Sequence, residues 1–274
     1  MFKIPAGDKN WEINSPQIMA IMNATLDSFY KPSRVIDMDW VAKFVENCIN
    51  YGASVIDIGG QSTRPGAELI TPKEELNNIL PLIEFIRAIY PTVLISIDTF
   101  SSQVAKEALS NGANIINDVS CGKFDSDIFK VVADGNAGYI GMHLTGEMNS
   151  MHEVLPRTNI INEILQYFKV KKEALSKCGI HNWVIDPGFG FGKTIDENFS
   201  IVKNLYQLKE LELPILLGVS RKSSIYKTLN ITASEALNGT TVLNTIGIQN
   251  GASIIRVHDV LEAKQIIDLG KYIF

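Results

Sequence analysis

The chain has 274 residues, 46% of them hydrophobic and 20% charged, which gives enough apolar surface to offset chain entropy and excludes intrinsic disorder. A formal net charge of −5 excludes general nucleic-acid binding, which needs a cationic footprint, but not an anionic substrate held by a few local cations. Residues 1–10 carry no apolar signal-like run, and no apolar run approaches the roughly 18 residues of a membrane span. With three scattered cysteines (Cys48, Cys121 and Cys178) and no CxxC, a reduced, soluble, cytoplasmic protein without membrane partners is expected.

Short β-branched runs alternate with longer amphipathic stretches. An opening segment, 2–14, is expected to form a strand pair closing the bottom of the fold. Strand 18–22 then precedes helix 39–51, strand 54–58 helix 72–89, strand 93–97 helix 101–111, and strand 114–117 helix 125–134. Strand 138–142 precedes helix 159–177, strand 183–185 helix 195–208, strand 215–218 helix 233–250, and strand 253–256 helix 260–269. Eight strands alternating with eight helices predict an α/β fold, a single (β/α)8 TIM barrel forming one domain over 1–274. The strand runs are nearly continuous and apolar, as strands buried on both faces should be. Gly52, Gly112 and Gly251 stand where left-handed caps would return three helices to the barrel. A two-domain doubly wound fold would need a Gly-rich turn after the first strand, where Asn23-Ala24-Thr25-Leu26-Asp27 stands instead.

Barrel chemistry sits where strands finish, because the loops of all eight converge there. Those positions hold Asn23, Asp57, Asp98, Asn117-Asp118, His143, Asp186, Ser220-Arg221-Lys222 and Arg256-Val257-His258. Any one of them is explicable as a turn former or helix cap. A polar group at every strand end predicts a mixed-charge pocket. Asp98, Asn117 and Asp186 suit a ring rich in N–H donors. Arg64, Arg221, Lys222, Arg256 and His258 form a cationic group that outnumbers those acids and awaits phosphate or carboxylate. The segment Asp186-Pro187-Gly188-Phe189-Gly190-Phe191-Gly192-Lys193-Thr194 fails as a P-loop, because Pro187 stands at its first glycine. It reads as a tight loop offering an aromatic face and backbone amides. No ligand spacing of a metal cage is present, which leaves room for Mg2+ held by one side chain and substrate phosphates.

Together these motifs resemble the dihydropteroate synthase family. The resemblance is carried by Met22-Asn23-Ala24-Thr25-Leu26-Asp27-Ser28-Phe29, Asp57-Ile58-Gly59-Gly60-Gln61-Ser62-Thr63-Arg64-Pro65-Gly66, Ile97-Asp98-Thr99 and Asn117-Asp118-Val119-Ser120. Met142-His143, the Gly-rich segment, Gly218-Val219-Ser220-Arg221-Lys222-Ser223 and Arg256-Val257-His258-Asp259 complete it. It implies condensation of 6-hydroxymethyl-7,8-dihydropterin diphosphate with p-aminobenzoate, releasing diphosphate, in a barrel that is usually a homodimer. It implies that Asp98, Asn117, Asp186 and Lys222 hydrogen-bond the pterin, and that Met142, Phe191 and Arg256 pack on its faces. Asn23, Arg256 and His258 match the diphosphate and Mg2+ positions, with Asn23 the metal ligand. Thr63, Arg64, Phe191, Lys222 and Ser223 match the p-aminobenzoate site. The resemblance further implies that Asp98, Lys222, Asn23 and Arg256 carry the catalytic roles. The chain departs from the pattern at Leu26, where the family usually has proline, and at Gln61, where it usually has glutamate. Lys31, Arg34 and Arg64 in the first two loops lead to an expected order of binding, pterin diphosphate before p-aminobenzoate. Two other readings share the pterin barrel: a non-catalytic pterin-binding homologue, and a methyltetrahydrofolate–corrinoid methyltransferase. The latter has no need of the anion set.

Overall fold

Eight short parallel strands form because each is a run of residues suited to burial on both faces. The computed structural model describes residues 1–24, 37–61, 68–154 and 157–273. An antiparallel pair, β1 (Phe2–Ala6) and β2 (Lys9–Ile13), precedes β3 (Gln17–Asn23), β4 (Ala53–Gly59), β5 (Leu94–Asp98) and β6 (Ile115–Asp118). Then come β7 (Gly138–Met142), β8 (Val184–Asp186), β9 (Leu216–Leu217) and β10 (Ile254–Val257). The parallel sheet runs β8-β7-β6-β5-β4-β3-β10-β9, and a bridge from Ile185 to Ile215 joins its two ends into a barrel.

The shell consists of α1 (Met38–Asn50), α2 (Pro72–Ile89), α3 (Ser102–Ser110), α4 (Ile128–Asp134) and α5 (Ile160–Lys177). It continues with α6 (Ile195–Lys203), α7 (Ser223–Leu229), α8 (Leu237–Gln249) and α9 (Val260–Gly270). Reciprocal caps start α2, through Thr71 and Glu74, and α6, through Thr194 and Glu197. Gly52, Gly112 and Gly251 adopt φ of +83°, +106° and +108°, the left-handed turns expected of them. Two helices differ from expectation. The helix expected over 195–208 stops at Lys203 and continues as a 3-10 turn, Leu205–Leu211. The helix expected over 233–250 is preceded by α7, two turns long, which Asn230 ends at φ +55°. Its short, polar sequence gives too little periodicity to be seen.

Residues alternate between barrel interior and helical shell with the period of two that strands impose. Met19, Val55, Ile115, Ile140, Val184, Leu216 and Ile254 point inward near the strand starts. Ile4, Ala6, Trp11 and Ile13 of the β1–β2 hairpin join this same cluster, so the hairpin plugs the bottom of the barrel. Gly138 lets it approach, since a Cβ there would lie 2.9 Å from the Pro5 carbonyl oxygen. The same phase, followed upward, places Asn23, Asp57, Asp98, Asn117, Met142, Asp186 and Arg256 inside the top.

Candidate active site

The top of the barrel interior is a polar, charged cluster built from five strand ends. Arg256 lies between two carboxylates: Nε donates to Asp57 Oδ2 at 2.6 Å and Nη2 to Asp98 Oδ2 at 2.7 Å. Asn117 Nδ2 donates to the same Asp57 oxygen at 3.1 Å. Asp186 is steadied by the Gly188 amide, which donates to its Oδ1 at 2.7 Å. Gly218 supplies no side chain on the neighbouring strand end. A Cβ there would lie 3.9 Å from both Asp186 Oδ2 and Arg256 Cβ, so glycine keeps space open between them.

Three acids, Asp57, Asp98 and Asp186, face two cations, Arg256 and Lys222. Burial pushes the Asp98 carboxyl up to about 7, against the pull of Arg256 and with a further push from Asp57 and Asp118. Burial also raises the Asp186 carboxyl, against Lys222. Lys222 is pushed down to about 8 by burial, against the attraction of Asp186. Arg256 stays charged because the Asp57 and Asp98 carboxylates outweigh its burial. The cluster therefore carries a surplus of acid, suited to a ligand that brings N–H donors or positive charge.

Lys222 is held by the Phe189 carbonyl oxygen and sits 4.6 Å from the centre of the Phe191 ring. His152 stacks on the same ring at 5.2 Å. Met142 belongs to a small apolar cluster with Val119, Leu144 and Met151, against which Phe191 packs. These side chains give the polar recess an apolar wall. Ser223 opens α7 immediately after Lys222. His258 Nδ1 lies 2.9 Å from Ser220 Oγ at the exposed rim. Asn23 is half-buried at the end of β3.

The site residues thus brought together are Asn23, Asp98, Asn117, Met142, Asp186, Phe191, Lys222, Ser223, Arg256 and His258. Thr63 and Arg64, with Leu26, Lys31, Arg34 and Ser62, lie outside the described residues. Two expectations require correction. Arg221 is not a spare cation for an anion: its Nε and Nη2 grip both oxygens of Asp259 at 2.9 Å, and Nη1 takes the carbonyls of Ala233 and Ser234. Arg256 rests between Asp57 and Asp98, so meeting a phosphate requires it to give up one of those contacts. Three amides of the Gly-rich loop are spent internally rather than offered to a ligand: Gly188 N donates to Asp186 Oδ1, Gly190 N to Asn198 Oδ1 at 2.6 Å and Phe191 N to the Gly188 carbonyl at 3.1 Å. Lys193 locks that loop from beneath, donating to the carbonyls of Gly188 and Phe191 at 2.8 and 3.0 Å.

Two strand-end groups face away from the pocket. Asp118 accepts from the Ser120 and Gly122 amides, the Ser120 hydroxyl and the Tyr139 hydroxyl, a closed structural set. His143 is buried outside the barrel wall, with Nε2 3.4 Å from Glu163 Oε1 and its ring against Tyr167. The residue to which strand-end reasoning gives no task is Asp57. It sits on the inward phase level with Ser96, two residues below Asp98, which is the signal that could have singled it out.

A barrel with a donor-binding, acid-rich recess at its C-terminal strand ends belongs to the class of small-molecule barrel enzymes, which work there. A family model described as pterin binding enzyme matches residues 19–258. The chain is 40% identical over 258 residues to the dihydropteroate synthase of Clostridium beijerinckii, covering 93% of this chain and 94% of that one. It is 35% identical over 262 residues to that of Escherichia coli K12, covering 95% and 92%. Among solved structures, Clostridium difficile dihydropteroate synthase in the presence of pteroic acid superposes with a TM-score of 0.89 at 34% identity, covering 96% and 98%. The Xanthomonas albilineans enzyme with 4-aminobenzoic acid gives a TM-score of 0.90 at 30% identity, covering 98% of both chains. The chain belongs to the pterin-binding enzyme family and, within it, groups with the dihydropteroate synthases, transferases of folate biosynthesis.

Proposed function

We propose that this protein joins 6-hydroxymethyl-7,8-dihydropterin diphosphate to p-aminobenzoate, giving 7,8-dihydropteroate and diphosphate, with the inward cluster as its pterin pocket. The observation that carries the assignment of roles is the gathering of Asp98, Asn117, Asp186 and Arg256 on one inward phase of the barrel, with Lys222 added from the loop after β9. Asp186, with Oδ1 fixed by Gly188, presents Oδ2 to ring N–H donors, and Asn117 and Lys222 complete the edge. Met142 and Phe191 close on the ring faces. Asp98 stabilises the positive charge that develops on the dihydropterin as its methylene C–O bond breaks. Arg256, His258 and Asn23 face the departing diphosphate. The p-aminobenzoate nitrogen forms the new C–N bond and releases a proton to solvent. Its neutral amine needs positioning more than deprotonation, which falls to Ser223, Phe191, Lys222, Thr63 and Arg64.

Asn23 also offers a hard amide oxygen that fits Mg2+. A side chain on Gly59 would point between Asn23 Oδ1 and the Asp98 side chain, 3.8 Å from each, so the bare glycine leaves a cradle there. Among the described residues no group of three or more His, Cys, Asp or Glu could hold a metal alone. The donor set therefore suits an ion that keeps its waters and shares substrate oxygens. When bound, the ion supplies neutralising charge to the diphosphate. Mg2+ should bind weakly to the protein alone and more tightly with diphosphate; tight stoichiometric binding without it would contradict this assignment.

Residues 1–274 are read as one pterin-binding domain, supported by the core that the N-terminal hairpin shares with the barrel strands. A reducing, cytoplasmic setting is supported by free thiols at Cys48 and Cys121, both buried and pushed up to about 12. No helix among the described residues is long and apolar enough to cross a membrane. A homodimer is supported by exposed Val242 and Ile246, one turn apart on α8, beside exposed Leu229 on α7. The deciding experiment incubates the protein with both substrates and Mg2+ and follows dihydropteroate and diphosphate. Equimolar release of the two is expected, and no product at any substrate concentration would overturn the reading.

A further inference from the structure

Asp57 is wholly buried on the inner face of β4, and its two oxygens are used unequally. Oδ2 accepts from Arg256 Nε and from Asn117 Nδ2, whereas Oδ1 has no hydrogen-bond partner. Ser96, its register partner on β5, also has a buried hydroxyl without a partner. A buried carboxylate oxygen without a donor is costly, so Asp57 keeps spare acceptor capacity beside Arg256. Arg256 is divided as well. Its Nε is on Asp57 and its Nη2 on Asp98, while Nη1 bonds to no described residue.

The proposed reaction needs Asp98 for the ring and Arg256 for the diphosphate at the same moment. While Nη2 rests on Asp98, each group obstructs the other. Nη2 occupies one lone pair of Asp98 Oδ2 and competes there with a ring N–H, and the guanidinium is committed inward. A ring donor that takes that lone pair displaces Nη2. The guanidinium does not come loose, because Asp57 still holds Nε. It can turn about that contact, with Asp57 Oδ1 available to complete a two-point carboxylate fork, and present its freed edge to an anion.

We propose that Asp57 is a positioning residue, the fixed pivot on which Arg256 exchanges Asp98 for the diphosphate, so that ring binding and diphosphate binding favour each other. The inference rests on the assignment of Asp98 to the pterin and of Arg256 to the diphosphate. Because such coupling is reciprocal, it is measurable without catalysis. Calorimetry would titrate pyrophosphate into the wild-type protein, alone and saturated with 6-hydroxymethylpterin, at constant Mg2+. The pterin should tighten pyrophosphate about tenfold, and pyrophosphate should tighten the pterin by the same factor. In Asp57→Asn that ratio should fall to about one, because the neutral amide no longer anchors Nε. In Asp98→Asn, pyrophosphate should bind without pterin nearly as tightly as it binds the pterin-saturated wild type. Equal pyrophosphate affinity in the wild type with and without pterin would overturn the exchange even if Asp57→Asn does not fold. A tenfold ratio retained in a folded Asp57→Asn would overturn the pivot. If both ligands bind but independently, the pterin reading stands and only this inference falls; if the wild type binds neither, both fall together.

Discussion

The two ends of the barrel interior are built by the same strands in the same phase, yet their chemistry is opposite. At the bottom, Met19, Val55, Ile115, Val184 and Ile254 meet the hairpin residues Ile4, Trp11 and Ile13 in an apolar layer. Two residues further along the same strands, buried Asp57, Asn117 and Asp186 and half-buried Arg256 replace them with charge and amide. Burying the first set stabilises the fold by roughly 25 cal/mol per Å2 of apolar surface. Burying the second costs free energy unless every charge is paired, and here acids outnumber cations. The bottom thus holds the barrel closed while the top stores unfavourable electrostatics that a ligand can relieve. Mutations should separate the two ends, stability on one side and ligand affinity on the other.

The largest effect is expected at the bottom. Trp11 is fully buried in the plug, with Nε1 donating to Gln17 Oε1 at 2.6 Å. Trp11→Ala should cost about 3–5 kcal/mol of stability through the cavity it leaves. Urea unfolding would measure it, and pterin affinity of the folded protein should change less than about threefold, under 1 kcal/mol. A comparable loss of affinity would mean that the ends are not separable.

At the top the balance reverses. Asp186→Ala should weaken pterin binding by about 1.5–3 kcal/mol, the worth of a charged acceptor. Its effect on unfolding should be smaller than that of Trp11→Ala, since removing one of three acids also relieves a surplus. Calorimetry and urea unfolding on one sample would compare the two. Unchanged pterin affinity would remove Asp186 from the pocket.

How far the sequence reveals the site follows from the same geometry. Asp98, Asn117 and Asp186 could be read at strand ends because strand period and barrel polarity are local properties. His143 follows Met142 by one residue, and that single step turns its side chain out of the barrel. Arg221 was counted for its charge, but its backbone at φ +52° directs it to Asp259. Charge counting carries no direction. The role of Asp57 depends on Arg256, 199 residues away in sequence, and no local pattern announces that pairing. The capped helices could be read, because Thr194 and Glu197 meet within one turn; α7 could not, because seven residues show little periodicity.

His143 extends the comparison outward, to strand-end residues that serve the fold rather than the ligand. Burial lowers its imidazole from the usual 6.5 to about 4, against the pull of Glu163. Between those two values the unfolded chain binds the proton and the folded protein does not. Stability is therefore full above 6.5 and falls as pH drops through 6.5 towards 4. Glu163, lowered to about 2 by the His143 imidazole 3.4 Å away and by its hydrogen bond from Arg157, adds to the loss in the same direction at still lower pH. Between pH 7 and 5 the His143 contribution should amount to about 2 kcal/mol. Urea unfolding at the two pH values would measure it, and His143→Gln should flatten that dependence. An equally steep loss in His143→Gln would place the acid sensitivity elsewhere.

The smallest expected effect falls on the border between fold and site, at the cap of α6. Thr194 ends the Gly-rich loop, and its hydroxyl accepts from the Glu197 amide at 3.1 Å while Glu197 Oε2 accepts from the Thr194 amide at 2.8 Å. Glu197 Oε2 also receives Arg157 Nη1 at 3.2 Å, and the same Arg157 nitrogen donates to the Gly192 carbonyl at 2.7 Å. The cap therefore touches the loop that carries Phe191, yet Lys193 and Asn198 fix that loop independently. Thr194→Ala removes one acceptor from the helix start and leaves the Glu197–Arg157–Gly192 chain in place. It should cost about 1 kcal/mol in urea unfolding, the usual worth of a threonine cap. Pterin affinity should fall by less than about twofold, well under 1 kcal/mol. If affinity instead falls tenfold while stability hardly moves, the cap sets the position of Phe191, and the functional end of the barrel reaches one turn into α6.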